Sequence, residues 1–250
     1  MDTDIAIIGA GHNGLVTAFY LARAGFSVDL FERRPFSGGA AITEELWPGY
    51  FFSTCAHMTH AIHPKIMGDL GMRERGFETL PWGPGIQIRR DGTYWGPHDH
   101  ESPRNHGAAG RLTEDERQGM RELGEFGHAL RCMFEPYRLR LPPSLEEVRA
   151  AVAVTANAEI LETALSTGLM ELHDRLLPTE LLRDHMVSAI SPVARNPLAL
   201  HVAYGSIGMP DSETGEAPPY GYVRGGMGET SRIMAEAAKE AGAQIHVDSG

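Results

Sequence analysis

The stretch DIAIIGAGHNGL, residues 4–15, decides the fold of this chain. It opens with an apolar run, residues 5–8, which is too short to span a membrane and is typical of a fully buried strand. Gly9, Gly11 and Gly14 follow with the spacing G-x-G-x-x-G. A buried strand that runs directly into this glycine turn predicts the start of a dinucleotide-binding βαβ unit.

The next residues supply the remaining parts of that unit. Residues 15–24 carry apolar side chains at helical spacing, and Gly25 is placed to end the helix. Residues 26–31 (FSVDLF) predict a second strand, which ends at Glu32. The sequence therefore predicts an α/β fold, built on a Rossmann-like βαβ domain.

Each marked position in this unit has a physical role toward a dinucleotide. Gly9 permits the tight turn, Gly11 lets a pyrophosphate approach the backbone, and Gly14 lets the helix pack against the strand. The helix N-terminus presents unpaired N–H groups to the phosphates. Glu32, placed 18 residues after Gly14, is a candidate hydrogen-bond acceptor for the adenosine ribose. A carboxylate there disfavours a 2′-phosphate, which argues against NADP.

A loop rich in Gly and Arg follows Glu32 directly. Pro35, Gly38 and Gly39 exclude regular structure there, and Arg33 offers a charge-assisted donor. An ordinary surface turn is the alternative. The position of the loop beside a nucleotide site favours a phosphate-binding role.

Three segments together resemble the N-terminus of the FAD-dependent phytoene-dehydrogenase-like oxidoreductases, which are relatives of carotenoid desaturases and, more distantly, of flavin amine oxidases. The segments are GAGHNGLVTAFYLARAGFSVDLFERR (9–34), SGGAAITEE (37–45) and PGYFFSTCAH (48–57). The resemblance runs from Asp4 to about Gly71 and implies FAD as the cofactor. It also implies a mainly helical insertion that lines a lipophilic substrate cavity.

The resemblance assigns cofactor roles to particular residues. It implies that the pyrophosphate is wrapped by Gly9, Gly11, His12, Asn13 and Gly14, and that Glu32 holds the ribose. It implies that Arg33, Gly38, Gly39, Ala40 and Ala41 line the diphosphate and ribityl chain, and that Cys55, Ala56 and His57 approach the isoalloxazine ring. It further implies that the turn at Gly225, Gly226 and Met227 returns the chain to the flavin domain.

Catalytic and metal sites are less well marked. His57 is the weak candidate for a catalytic residue, and no general base can be named. His57, His60 and His63 invite a metal site, but no acid or cysteine completes a set with known ligand spacing. We therefore expect no metal and a structural role for His60 and His63. Cys55 could carry a covalent flavin link, although a small buried cysteine is the commoner case.

Several further elements are predicted outside the βαβ unit. A short helix is expected at 66–70, a hairpin at 86–94 around an Asp91-Gly92 turn, and an exposed loop at 97–110. A capping box at 113–116 predicts a helix to about Phe134. The sequence also predicts a helix from Ser144 that reaches Leu169 or ends once in between, a helix at 179–188, a helix at 229–241 and a strand at 243–247.

These elements suggest three parts. We expect an FAD-binding part at 1–97, a mainly helical substrate-domain part at 98–219, and a return to the FAD-binding domain at 220–250. The family resembled continues for about as long again beyond Gly250. The resemblance therefore predicts a fold that is incomplete without a second polypeptide or a C-terminal half.

Composition limits the function classes. The net charge of −11, without a long basic run, argues against nucleic acid as a partner. Two cysteines give no disulfide framework and fit a reducing compartment. No stretch approaches the roughly 20 apolar residues of a transmembrane helix, and no secretion signal precedes the first strand. We expect a cytoplasmic location.

The sequence favours an FAD-dependent oxidoreductase subunit. The resembled chemistry is removal of hydride from a C–H bond of a small organic substrate, a lipophilic one being permitted, which leaves C=C or C=N. A second polypeptide is expected to complete it. The alternatives are a non-catalytic escort or binding subunit that keeps the dinucleotide fold, and an NAD-dependent dehydrogenase, with which Glu32 is also compatible.

Overall fold

The computed structural model describes residues 3–60, 62–81, 86–96, 104, 112–180, 182–183, 215 and 219–250. The chain divides into two compact units. The first comprises Met1–Trp82 with Glu213–Gly250, and the second comprises Gly83–Ser212. The first unit carries the glycine turn.

The described elements have the following bounds in chain order. The strands are β1 Ile5–Ile8, β2 Val28–Phe31, β3 Glu44–Trp47, β4 Tyr50–Phe52, β5 Thr79–Leu80, β6 Gln87–Ile88, β7 Tyr94–Trp95, β8 Tyr222–Val223 and β9 Gln244–His246. The α-helices are α1 His12–Arg23, α2 Pro64–Asp69, α3 Glu114–Phe134, α4 Leu145–Val152, α5 Asn157–Ser166, α6 Leu169–Leu176 and α7 Gly228–Glu240, and a 3₁₀ turn spans Glu135–Tyr137.

A three-stranded parallel sheet organises the first unit, in the order β1-β2-β9. The register pairs Ile5 with Val28 and Ile7 with Leu30, which places these apolar side chains on one face. The helices α1 and α7 pack against each other, and their buried residues join the strands in one hydrophobic cluster that includes Leu15, Leu30 and Ile233. This confirms the predicted strand, glycine turn, helix and strand.

The opposite face of β1 is different. Ile8 is 85% exposed, and the burial of β1 alternates along the strand. Parallel sheets are normally covered on both faces, and strands buried on both faces are typically apolar throughout. The apolar run at 5–8 predicts a fully buried strand, whereas the described residues pack against only one of its faces.

Two smaller strand pairs complete the first unit. β3 and β4 form an antiparallel hairpin, and β5 pairs with β8. The hairpin exposes its aromatic side chains, with Trp47 and Tyr50 each about two-thirds exposed. The aromatic stretch thus forms two strands, but its side chains at Trp47 and Tyr50 are not buried among the described residues.

The second unit is mainly helical in its described part. Capping boxes at Thr113 and Ser144 start α3 and α4, because each hydroxyl accepts the N3 backbone N–H while the N3 glutamate accepts the cap N–H. The helix predicted from Ser144 ends once, between α4 and α5. Sequence reasoning missed α6. Most of the predicted loop at 97–110 and most of the predicted helix at 179–188 lie outside the described residues.

The boundaries of the two compact units differ from the domain boundaries expected from the sequence. The hairpin β6–β7 forms as expected, because Gly92 adopts the left-handed conformation at the turn (φ 80°). It belongs to the second unit, whereas the expected boundary at 97 placed it in the first. Among the described residues, no helix combines the length and apolar character that a bilayer span requires.

Candidate functional site

The glycine turn after β1 is shaped by close backbone packing. Gly9 has φ 97°, a conformation that side chains other than Gly rarely adopt. A Cβ at Gly14 would lie 2.1 Å from the carbonyl oxygen of Gly9. Gly14 therefore allows α1 to start directly against the end of β1, as the spacing predicted.

The N–H groups at the N-terminus of α1 have no side-chain acceptor among the described residues. Gly11 is its N-cap residue, and no side chain of the described residues caps it. The first turn contains no acidic residue. Since first-turn N–H groups have no acceptor within their own helix, they combine with the helix dipole to attract an anion. This end of α1 can hold a phosphate group.

Glu32 lies at the end of β2 and is 7% exposed. One carboxylate oxygen accepts the N–H of Ala10 and the other accepts the N–H of Arg34, each at 2.9 Å. The Arg34 N–H lowers the pKa of the Glu32 carboxyl most, and the Ala10 N–H with the charges of Arg33 and Arg34 lowers it further, against burial. Glu32 therefore stays ionised and ties the glycine turn to β2.

The loop after β2 packs against the glycine turn. Gly38 donates its N–H to the carbonyl of Ala10 at 2.7 Å, so this N–H is not free for a ligand. A Cβ at Gly39 would lie 3.0 Å from the Cα of Gly11. The backbones of Gly11 and Gly39 thus meet next to the N-terminus of α1.

The turn before α7 is held by hydroxyl groups of Thr43 and Ser53, which flank the β3–β4 hairpin. The N–H of Met227 donates to Ser53 Oγ at 3.0 Å, and the N–H of Gly228 donates to Thr43 Oγ1 at 2.9 Å. A Cβ at Gly226 would lie 2.3 Å from Thr43 Oγ1. The close contact explains why glycine stands at position 226. The N–H groups of Met227 and Gly228 are already bonded to hydroxyls and are not free for a ligand.

A cavity of about 530 Å³ lies in the first unit beside the start of α1. Such a volume is within the usual range of small-molecule sites. Its described lining residues are His12, Asn13, Val16, Thr17, Ala40, Ala41, Ala56, Met58, Thr59, His60, Ile62, His63, Ile66, Met227, Thr230 and Met234. None of these is Lys, Arg, Asp or Glu, so the described cavity wall carries no permanently charged side chain.

The cavity brings together only some of the sequence-predicted residues. It includes His12, Asn13, Ala40, Ala41, Ala56 and Met227. Cys55 and His57 are exposed and are not among its lining residues. Sequence reasoning missed three threonines of the cavity wall, Thr17, Thr59 and Thr230. A single hydroxyl in a helix or a loop does not by itself indicate a cavity. The individual cofactor assignments stay predictions.

The histidines near the cavity have distinct surroundings. His63 caps α2, because its Nδ1 accepts the N–H of Lys65 at 3.2 Å. This structural use agrees with the role expected for His63. Across the described residues, no group of three or more His, Cys, Asp or Glu side chains is arranged to hold a metal ion.

Comparison with known proteins agrees with this geometry. Residues 7–70 match the family described as NAD(P)-binding Rossmann-like domain. This chain carries a dinucleotide-binding Rossmann-like domain.

Two curated relatives extend the likeness of this Rossmann-like protein. Pyridine nucleotide-disulfide oxidoreductase domain-containing protein 2 of Rattus norvegicus is 29% identical over 288 residues, which covers 98% of this chain and 47% of the relative. A limonene dehydrogenase subunit of Castellaniella defragrans is 40% identical over 94 residues, which covers 36% of this chain and 17% of the relative. The chain spans about half the length of the first of these relatives.

Solved structures share the fold. Putrescine oxidase bound to putrescine gives a TM-score of 0.61 at 19% identity, over 99% of this chain and 51% of that one. Cyclohexylamine oxidase from Brevibacterium oxydans gives 0.60 at 18% identity, over 99% and 51%. A Rab GDI from Plasmodium falciparum gives 0.53 at 12% identity, over 98% and 57%. At these identities the likeness establishes the fold and not the activity.

Proposed function

We propose that this chain is the FAD-binding part of a flavin-dependent oxidoreductase that is completed by a second polypeptide. The observation that carries the proposal is the N-terminus of α1, which is uncapped among the described residues. Its N-cap residue Gly11 packs closely against Gly39, and the buried Glu32 accepts the N–H of Ala10 in the same turn. The names of the limonene dehydrogenase subunit and the two amine oxidases support oxidoreduction.

The residues present fit a dinucleotide. The N–H groups of the first turn of α1 would hold the diphosphate, and the free lone pairs of Glu32 would accept ribose hydroxyls. FAD would supply the acceptor for a hydride removed from a C–H bond, leaving C=C or C=N in the product. The chain itself would bind and orient the cofactor, and the apolar cavity wall would exclude water from its neutral part.

We favour FAD over NAD because residues 4–71 resemble the FAD-dependent enzymes. The small residues Ala40, Ala41 and Ala56 line the cavity together with His12 and Asn13, which supports a bulky cofactor group there. The finer assignment to the phytoene-dehydrogenase-like enzymes rests on the resemblance of residues 4–71. The substrate proposed is a small organic molecule.

A second polypeptide is favoured by the exposed surface of the first unit. Ile8 on the parallel sheet and Trp47 on the β3–β4 hairpin are large apolar side chains with 85% and 65% exposure. Exposed apolar groups of this size mark interaction surfaces when they cluster, and a two-stranded hairpin is only marginally stable without further packing. A partner chain would cover such surfaces.

The second candidate is a binding or escort subunit without chemistry. The fold is compatible with it, since a Rab GDI shares the architecture with the oxidases. The N-terminus of α1, which no side chain of the described residues caps, weighs against this candidate, because a scaffold does not need an uncapped helix end. The escort candidate predicts no FAD, even when the partner is present.

The proposed function predicts FAD in the protein purified mildly from its own host. Native mass spectrometry is expected to give the mass of this chain plus a second polypeptide plus one FAD, and chromatography after denaturation is expected to release FAD. Released NAD in place of FAD would support an NAD-dependent dehydrogenase. A complex with a partner and no dinucleotide would support the escort candidate.

A further inference from the structure

Thr230 carries a buried hydroxyl in the first unit. It lies in the first turn of α7 and is 2% exposed. Its Oγ1 has no hydrogen-bond partner in the part of the chain that the structure describes. Helical threonines commonly donate to a carbonyl one turn earlier, and a buried hydroxyl left without a partner is destabilising. Its presence here requires a reason.

The neighbouring hydroxyl shows how such a group is normally satisfied. Ser231 is fully buried and donates through Oγ to the carbonyl of Ala41 at 2.7 Å. That bond ties α7 to the loop at 38–41. Adjacent positions on one helix therefore differ: the hydroxyl of Ser231 is used for packing, whereas that of Thr230 is buried without a partner among the described residues.

Thr230 lines the cavity beside α1. Its apolar neighbours in the cavity wall include Val16, Ile66 and Met234, and no Lys, Arg, Asp or Glu is among the described lining residues. A charged ligand group would lose its hydration there without a counter-charge. The hydroxyl therefore suits an uncharged ligand group that carries a hydroxyl or a carbonyl.

We propose that Thr230 is a positioning residue that hydrogen-bonds the uncharged flavin half of FAD, meaning the ribityl chain or the isoalloxazine ring, within the cavity beside α1. This inference rests on the proposed function. The diphosphate is placed at the N-terminus of α1, so the Thr230 contact belongs to the part of the cofactor beyond it. The bond that Thr230 lacks is then formed only in the loaded protein.

The test compares Thr230→Val with wild type, both as the complete chain with any polypeptide that accompanies it. Valine keeps the shape and removes the hydroxyl. The cofactor-free variant should melt about 1–3 °C higher, because an unsatisfied buried polar group is replaced by a methyl group. The same variant should bind FAD about 3- to 10-fold more weakly, since one hydrogen bond is lost. A purely structural role would not produce these opposite signs.

Two control variants and a second ligand sharpen the test. Thr230→Ser keeps the hydroxyl and should bind FAD within about twofold of wild type. Ser231→Ala removes a satisfied hydroxyl and should lower the melting temperature. ADP lacks the ribityl chain and the ring, so Thr230→Val should bind ADP as well as wild type does.

The outcomes separate the two proposals. Wild-type protein that fails to bind FAD would overturn the proposed function and with it the Thr230 contact. Wild-type protein that binds FAD, while Thr230→Val binds it equally well, would overturn the Thr230 contact alone. An equal loss of ADP and FAD affinity would also overturn it, because the contact would then lie in the wrong half of the cofactor.

Discussion

A Gly11→Ala variant is expected to fold as the wild type does and to bind FAD about 100-fold more weakly, which corresponds to losing one or two charge-assisted hydrogen bonds. Gly11 has φ −72°, which alanine adopts without strain. The nearest described atom to an added Cβ is the Cα of Gly39 at 3.8 Å, an ordinary contact. The methyl group is therefore tolerated by the free protein and stands where a diphosphate must approach.

A Gly14→Ala variant provides the matched contrast. Its Cβ would lie 2.1 Å from the carbonyl oxygen of Gly9, so α1 must move away from β1. We expect a loss of about 1–3 kcal/mol in the free energy of unfolding, as for other overpacked sites. The same small change thus affects binding at one glycine and folding at the other.

Urea unfolding and FAD titration, each on wild type and both variants, measure the two effects. The expected pattern is unchanged unfolding with weak binding for Gly11→Ala, and weakened unfolding for Gly14→Ala. Wild-type FAD affinity in the Gly11→Ala variant would mean that no diphosphate lies against this turn. The proposed cofactor site would then be wrong.

The first 32 residues were predictable because their signals are local. The run at 5–8, the spacing of Gly9, Gly11 and Gly14, and the end of the strand at Glu32 all act over short distances. Each of these signals indicates the same βαβ unit. A segment can be predicted from sequence when its local conformational preferences agree with the overall fold.

Long-range contacts were not predictable from spacing. The strand β9 pairs with β2 although more than 200 residues separate them, and the family resemblance, not periodicity, suggested that the chain returns there. The caps of the α7 turn come from Thr43 and Ser53, whose hydroxyls could equally face solvent as far as the sequence shows. The Thr230 hydroxyl was missed for the same reason, because burial without a partner is a tertiary property.

A Glu32→Gln variant is expected to lose about 2–3 kcal/mol of unfolding free energy at neutral pH, as well as FAD affinity. The carboxylate accepts the N–H groups of Ala10 and Arg34 in a site that is 7% exposed. A glutamine has one amide oxygen, so it can accept one of these bonds while its NH₂ group faces the other donor. A buried N–H left unsatisfied costs about 1–3 kcal/mol. The lost carboxylate also removes the ribose acceptor.

The stability difference between wild type and Glu32→Gln should also depend on pH. The pKa of Glu32 is lowered in the folded chain, chiefly by the Arg34 N–H. Its contribution to stability is therefore full above the unfolded value of about 4.3 and is lost as the pH falls through the lower folded pKa. The gap between wild type and Glu32→Gln, measured by urea unfolding, should narrow over that acidic range.

A control variant separates this effect from the general loss of a negative charge. Glu78 is an exposed carboxylate paired with Arg224 in the same unit, and Glu78→Gln should change unfolding and FAD binding little. Glu32→Gln and Glu78→Gln make the same change in charge, so only the buried geometry distinguishes them. If both variants unfolded alike at every pH, Glu32 would not be the tie between the glycine turn and β2. The ribose acceptor would then have to be sought on another residue.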